Sequence, residues 1–146
     1  MPTLTYNCIN RHISRVVRTR MVSATSPWAN DPTILEAKTH LVPISHGEGR
    51  IIISDELAKD LFAKGQVYTQ YVTEEGVPVM SEPDNPNGSM FAIEGITSLD
   101  GRILGKMGHS ERTIGALANG KSDSLLKNIS GDNCQNLFAA GVRYFN

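Results

Sequence analysis

The residues best suited to chemistry lie together near position 110. His109 and Glu111 are separated by one residue in the run GHSER, which spans residues 108–112. In an extended backbone both side chains project to the same side, where a carboxylate holds one imidazole nitrogen and leaves the other as a base. The pair would then be the base and the orienting group of a three-part nucleophilic site. Two solvated side chains explain the same spacing, and for a bare His-x-Glu that is the commoner arrangement.

A predicted β-hairpin leads into this pair. Alternating side chains at residues 93–98 and the run RILG at residues 102–105 predict two strands. Asp100 and Gly101 form a dipeptide that favours a tight turn, because glycine adopts positive φ without strain. The second strand continues through Met107 and would deliver His109 to the end of the hairpin.

A second glycine-rich turn lies upstream. Residues 39–44 and 51–53 predict strands, and the run SHGEG at residues 45–49 connects them. Two glycines allow backbone amides to approach a ligand closely, so Ser45, His46 and Gly47 are candidates for a binding loop. A plain hairpin turn is the competing interpretation of the same residues.

The two cysteines, Cys8 and Cys134, lie far apart in the chain. Their spacing matches neither a metal-binding pair nor a disulfide framework. Neither follows a strand with flanking glycines, the elbow that exposes a nucleophile and frees backbone N–H groups for an oxyanion. Structural thiols are the favoured interpretation, and an unrelated thiol hydrolase that pairs one of them with His109 stays an alternative.

Length and composition indicate one soluble globular unit. The chain has 146 residues, of which 40% are apolar and 20% charged, with a formal net charge of −1. So small a charge gives no global attraction to nucleic acid or anionic membrane, and no apolar run is long enough to span a bilayer. No signal-peptide core follows Met1, so we expect a cytoplasmic location and no membrane partner.

Basic residues crowd residues 11–20, namely Arg11, His12, Arg15, Arg18 and Arg20. A surface for phosphate or nucleic acid is one interpretation. A solvated strand face is the favoured one, because no aromatic side chains are interleaved for base stacking. We therefore expect no nucleic-acid partner.

The remaining elements follow from periodicity and caps. Residues 3–9, 11–22 and 66–72 predict strands. Ser54 and Gly65 bracket a predicted helix. The core face of this helix carries Leu57, Ala58, Leu61 and Phe62.

The rest of the chain is predicted from composition. Residues 133–145 predict a closing helix. Its predicted core residues are Leu137, Phe138, Val142 and Phe145. Residues 23–38, around the single tryptophan Trp28, predict a loop, as do residues 81–89, and residues 113–132 predict a surface connection.

Several of these runs resemble one known family, in order. They are NPNGS at residues 85–89, IEGI at 93–96, DGR at 100–102 and GHSER at 108–112, and the likeness continues upstream through residues 2–7, 26–28 and 42–50. Together they resemble the glutaminase end of phosphoribosylformylglycinamidine synthase, an enzyme of purine biosynthesis. The resemblance implies an α/β fold, namely the C-terminal portion of a class I (Cys-His-Glu, flavodoxin-like) glutamine amidotransferase domain, strand-rich with two or three helices. Residues 1–146 would form one partial domain.

The resemblance also implies roles for individual residues. His109 matches the family's catalytic base and Glu111 the carboxylate that orients it, while Ser45, His46 and Gly47 match a loop that holds the substrate glutamine. Many relatives have proline on both sides of the histidine, where this chain has Gly108 and Ser110.

The family's nucleophilic cysteine lies in an elbow that should precede this sequence. We therefore expect a partial enzyme that hydrolyses no glutamine by itself. An incomplete sheet should also leave an open edge, which predicts self-association.

Partners and cofactors follow by the same resemblance. Glutamine and the remainder of the parent enzyme are the expected partners. ATP, magnesium and the ribonucleotide belong to a separate synthetase domain, so no cofactor or metal is expected here. A catalytically silent interaction or regulatory module with an amidotransferase-like shape is the alternative.

Overall fold

The computed structural model describes residues 1–112 and 136–146, and it has an α/β fold. Five strands form one sheet in the order β3-β2-β5-β6-β7, and β1 and β4 form a two-stranded sheet. The strands are β1 Thr3–Thr5, β2 Ile13–Met21, β3 His40–His46, β4 Arg50–Ile52, β5 Val67–Tyr71, β6 Ile93–Thr97 and β7 Leu104–Lys106. The helices with two described ends are α1 Pro32–Glu36, α2 Asp55–Ala63 and α3 Leu137–Phe145, and a further helix begins at Ser110.

The larger sheet is antiparallel throughout the described residues. β2 pairs with β3 from Ile13↔His46 to Thr19↔His40, and its far end pairs with β5. All five residues of β5 are buried. The chain returns from β5 to β6 and then to β7, so the last two strands form the predicted hairpin at one side of the sheet.

The turn of this hairpin has the predicted chemistry. Gly101 has a φ of 72°, which a residue with a side chain adopts only with strain. The Ser98 N–H donates to the Ile103 carbonyl at 2.9 Å, and the Asp100 carboxylate accepts from the Arg102 N–H at 3.2 Å. The prediction of a hairpin closed by Asp100-Gly101 is therefore confirmed, although β7 begins at Leu104 rather than at residue 102.

The predicted helix after Ser54 is also confirmed. The Ser54 side chain caps it by accepting from the Leu57 N–H at 3.3 Å. Ala58 and Leu61 are buried, and Leu57 and Phe62 pack beside them against β4, β5 and β6. The amphipathic pattern predicted the buried face of this helix correctly, because one face of α2 packs against the sheet and the other is exposed.

The predicted core face of the closing helix is wrong in part. Of α3, the buried residues are Leu137, Ala140 and Gly141, whereas Phe138, Val142 and Phe145 are 54%, 61% and 71% exposed. A Cβ on Gly141 would lie 3.0 Å from Trp28 Cζ3. Gly141 thus lies against the tryptophan ring, where a larger residue would not fit, and Phe138, Val142 and Phe145 stay largely exposed.

Residues 23–38 are not the plain loop that their composition predicts. They contain a short 3-10 helix, Pro27–Ala29, and helix α1. Ser26 caps the first and also donates to the Gly101 carbonyl at 2.7 Å, so contacts from the distant hairpin order this segment. The predicted connection at residues 113–132 lies outside the described residues.

Within the described ranges, no helix is both long enough and apolar enough to cross a bilayer.

Candidate functional site

His109 lies where the hairpin ends against β3. Gly108 forms a β-bridge with Ile44, and the His109 N–H donates to the Pro43 carbonyl at 2.8 Å. A helix begins at Ser110, and the Arg112 N–H donates back to the His109 carbonyl at 3.1 Å. The backbone therefore does not stay extended through Glu111, as the spacing argument assumed. His109 stands at the start of a helical turn, and Glu111 lies in that first turn.

The two side chains nevertheless meet. His109 Nδ1 is 2.7 Å from Glu111 Oε1, so the carboxylate fixes the tautomer with hydrogen on Nδ1 and leaves the Nε2 lone pair as the basic position. The histidine and glutamate side chains are 40% and 55% exposed. Exposed ion pairs contribute little to stability, so the value of this contact lies in orienting the ring.

The pKa of Glu111 is held below its ordinary value. Partial burial alone would raise it, but hydrogen bonds from its backbone N–H and the His109 ring, with the positive charges of His109 and Lys106, outweigh that effect. Glu111 is thus ionised at neutral pH, which is the state that an orienting group requires.

A cleft of about 370 Å³ opens beside the pair. One wall is polar and carries His109, Ser110 and Glu111, and the other is formed by the 3-10 helix and α3. Among the described residues, the cleft is lined by Trp28, Leu104, Gly105, Lys106, Gly108, His109, Ser110, Glu111, Leu137 and Phe138. Trp28 is held in place by its Nε1–H, which donates to the Arg102 carbonyl at 3.0 Å. The cleft therefore places an apolar surface beside an imidazole ring and the carboxylate that contacts it.

Buried charges that sequence reasoning missed lie behind His109. Glu94 on β6 is fully buried, and its carboxylate accepts from the Gly108 N–H at 2.5 Å and from the Thr69 hydroxyl. Lys106 Nζ lies 3.9 Å from the same carboxylate and donates to Ser110 Oγ at 3.1 Å. Burial lowers the pKa of Lys106, against the opposing charges of Glu94 and Glu111. The available signal was a charged residue at an inward position of an otherwise apolar strand.

The candidate binding loop lies farther along β3. Ser45 and His46 end this strand and Gly47 begins the turn, so they follow directly the Pro43 and Ile44 that hold the His109 segment. None of the three lines the cleft described above. Ser45 Oγ is 3.3 Å from His12 Nε2. The structure thus places the loop next to the His109 segment but outside its cleft.

Asn7 organises this loop, and sequence reasoning missed it. Its side chain is fully buried and donates to the Arg11 and His46 carbonyls at 2.9 and 2.8 Å. Its carbonyl oxygen accepts from the Gly49 N–H at 3.2 Å and lies 3.0 Å from His46 Nδ1. Burial first, then the charges of His12 and His109, lowers the pKa of His46. His46 is therefore a neutral ring held through Nδ1.

Cysteine chemistry finds little support in the described part of the chain. Cys8 is exposed, does not line the cleft, and packs against the loop before Ser89, where its N–H donates to the Asn87 carbonyl at 3.1 Å. Cys134 lies outside the described residues. Over residues 1–112 and 136–146, no group of three His, Cys, Asp or Glu side chains is arranged to hold a metal ion.

Comparison with protein families places the chain in a known group. Residues 1–145 match the CobB/CobQ-like glutamine amidotransferase domain. Curated relatives include the phosphoribosylformylglycinamidine synthase subunits PurQ of Treponema denticola, 35% identical over 147 residues, and of Salinibacter ruber, 31% identical over 133 residues. These alignments cover 97% and 88% of this chain but 52% and 55% of the relatives. The chain therefore spans about half the length of the curated relatives it matches.

A solved structure agrees in fold. The structure of PurLQS from Thermotoga maritima contains a chain that superimposes with a TM-score of 0.67 at 21% identity. The superposition covers 100% of this chain and 54% of that one. The whole of residues 1–146 thus corresponds to about half of that chain.

Proposed function

Because the chain belongs to the CobB/CobQ-like glutamine amidotransferase domain family, we propose that it forms the C-terminal, proton-transferring part of a glutaminase. The enzyme would be phosphoribosylformylglycinamidine synthase, since the PurQ subunits are relatives along nearly the whole chain. The observation that carries the proposal is the contact of 2.7 Å between His109 Nδ1 and Glu111 Oε1 at the rim of a cleft.

In this proposal His109 is the base and acid of amide hydrolysis. A thiol supplied from outside the described residues gives its proton to His109 Nε2, and its sulfur bonds to the side-chain carbonyl carbon of glutamine. His109 then protonates the amide nitrogen as the carbon–nitrogen bond breaks and ammonia leaves. Water cleaves the thioester, its proton returns through His109 to the sulfur, and glutamate is released. Glu111 keeps the ring in the required tautomer throughout.

The loop at residues 45–47 would hold the main-chain groups of glutamine. Ser45 brings a hydroxyl, His46 a neutral ring, and Gly47 a backbone without a side chain. A Cβ on Gly47 would meet nothing within 4 Å, so this turn is open to a ligand. Ser45 lies two residues along β3 from Pro43, which contacts His109, so the loop is a neighbour of the His109 segment although it lies outside the cleft.

The chain would act with other parts of a larger synthase. The similar chain belongs to the structure of PurLQS from Thermotoga maritima, which supports a partner subunit here. The family resemblance implies that ATP, magnesium and the ribonucleotide bind to the synthetase part and not to these residues. We place the assembly in the cytoplasm, and we expect self-association when the chain is isolated from it.

The test is ammonia release from glutamine. The chain is assayed alone and after mixing with a separately produced segment that carries the family's cysteine elbow. We expect release only from the mixture, and its loss in His109→Ala. The matched control is Glu56→Gln on the exposed side of α2, far from the cleft, which should leave the rate unchanged.

A silent interaction module is the second candidate. The observation that favours it is the absence of a cysteine from the cleft lining within the described chain. If both pieces fold and associate but release no ammonia, the silent module replaces the glutaminase proposal.

A further inference from the structure

His109 is flanked by two residues that provide no rigidity of their own. Gly108 lacks a side chain, and Ser110 has a small one. Loops that position a base must hold it within a fraction of an ångström, because small misplacements cost large factors in rate. Ile44 and Pro43 of β3 hold the backbone of this segment on one side, so support on the other side must come from another part of the molecule.

We propose that Glu94 and Lys106 are positioning residues that hold the backbone on both sides of His109. The inference rests on the proposed role of His109 as the base. Glu94 acts on the preceding residue, through the 2.5 Å bond from the Gly108 N–H to Oε1. Lys106 acts on the following residue, through the 3.1 Å bond from Nζ to Ser110 Oγ. The two residues are joined to each other across 3.9 Å.

The fit at Gly108 supports this role. A Cβ at position 108 would lie 2.6 Å from Val42 Cγ2 and 2.9 Å from Glu94 Oε1. The backbone is therefore pressed between β3 and the carboxylate, at a distance that only glycine allows. Thr69 donates to the other carboxylate oxygen, which sets the direction in which Glu94 faces the loop.

The cost of burying the charges of Glu94 and Lys106 also supports a positioning role. Glu94 has no exposed surface and the Lys106 side chain is 8% exposed. Burying two charges costs several kcal/mol, and apolar residues of similar size often serve stability as well or better. A gain in stability is therefore a weak explanation for burying Glu94 and Lys106 together. Their contacts to Gly108 and Ser110, the two neighbours of His109, give a specific explanation.

The kinetic test uses the two-component glutaminase. Glu94→Leu removes the acceptor and the charge, whereas Glu94→Gln keeps an oxygen for the Gly108 N–H. We expect kcat to fall about tenfold or more in Glu94→Leu, less in Glu94→Gln, with KM unchanged in both. Thr69→Val, which removes the hydroxyl that donates to Glu94, should lower kcat by a smaller factor. It also keeps the test available if Glu94→Leu does not fold.

The control for stability is Val67→Ala, which opens a cavity in the core cluster beneath α2 and removes none of the hydrogen bonds of Glu94, Lys106 and Ser110. It should destabilise the protein and leave kcat unchanged. An equal kcat in Glu94→Leu, Thr69→Val and the unmodified chain would overturn the inference. A changed KM with an unchanged kcat in Glu94→Leu would overturn it as well.

A second measurement separates this inference from the glutaminase proposal. Amide hydrogen exchange in the chain alone needs no activity. We expect the Gly108 and His109 amides to exchange at least about tenfold faster in Glu94→Leu than in Val67→Ala, since only the first removes the Gly108 acceptor. Equal exchange in the two variants would overturn the positioning role. Faster exchange in Glu94→Leu would support the positioning role even if the mixture releases no ammonia. The missing ammonia would then reject the glutaminase proposal alone.

Discussion

Two loops of this protein are held by fully buried polar side chains, and the two anchors differ in charge. Asn7 holds the turn after β3, and Glu94 holds the segment before His109. An amide both donates and accepts, so Asn7 is satisfied by the chain around it without a counter-ion. A carboxylate only accepts, so Glu94 needs donors from Thr69 and Gly108 and a nearby cation in Lys106. Glu94 therefore costs more free energy to bury than Asn7. Its neighbouring cation, Lys106, also contacts the loop, through Ser110 on the other side of His109.

The largest expected effect comes from breaking the charged anchor. Glu94→Ala leaves Lys106 buried beside a cavity, and removing one partner of a buried ion pair costs about 3–5 kcal/mol of unfolding free energy. Urea unfolding followed by circular dichroism measures the loss. A change below about 1 kcal/mol would mean that other groups, such as Glu111, compensate the charge of Lys106 and that the contrast with Asn7 is unfounded.

Breaking the neutral anchor should cost less. Asn7→Ala removes four side-chain hydrogen bonds but strands no charge, so we expect a loss of about 2–3 kcal/mol. The same urea titration measures it, with the exposed Ser14→Ala on β2 as the control that should change little. A loss larger than that of Glu94→Ala would reverse the order of the two anchors.

Alanine substitutions at Gly108 and Gly105 compare a crowded position beside Glu94 with an open position three residues earlier. Gly108→Ala forces a Cβ to 2.6 Å from Val42 Cγ2, whereas Gly105→Ala on β7 meets nothing within 4 Å. We expect a cost of about 1–3 kcal/mol for the first and almost none for the second. Thermal unfolding of the two variants side by side checks this, and equal melting temperatures would show that the loop moves freely.

The Asn7 region should also respond to pH through His46. Its pKa is lowered in the folded chain, chiefly by burial, so below about pH 6.5 the unfolded chain binds a proton that the folded chain resists. Stability should therefore fall as pH drops through that window, by less than about 1.4 kcal/mol per pH unit for one group. His46→Gln should flatten the slope between pH 7 and pH 5.5. An unchanged slope would assign the dependence to other groups.

The smallest effect on stability is expected at the contact between His109 and Glu111. Glu111→Gln removes an exposed partner of His109 and should change the unfolding free energy by less than about 1 kcal/mol. The lowered pKa of Glu111 makes its small contribution present at neutral pH and lost only as pH falls through that pKa. Comparing the variant with the parent chain at pH 7 and pH 3 measures this. A large loss at pH 7 would make the pair structural rather than catalytic.

Much of the fold could be predicted because its signals are local. The Asp100-Gly101 turn, the Ser54 cap and the stripe of α2 all depend on residues within one or two turns of each other. The His109–Glu111 contact was predicted as well, although through an extended backbone that the structure replaces with a helical turn. Short spacing limits the separation of two side chains whichever backbone forms, and for that reason the contact held while its geometry did not.

The failures share one cause, which is a partner far away in the sequence. The buried face of α3 depends on Trp28, and the order of residues 23–38 depends on Gly101. The importance of Asn7 depends on the turn near Gly49, and that of Glu94 on Gly108. Periodicity within one element cannot indicate which other element will cover it.

The sequence by itself determined the family, the hairpin and the contact between His109 and Glu111, because these depend on residue types and close spacing. Only the tertiary structure decided what stands behind His109. Three strands must assemble before Thr69, Glu94 and Lys106 meet, and the burial that follows turns two ordinary charged residues into a support for the loop. Burial is a property of the assembled sheet, so no single segment of the chain could specify it.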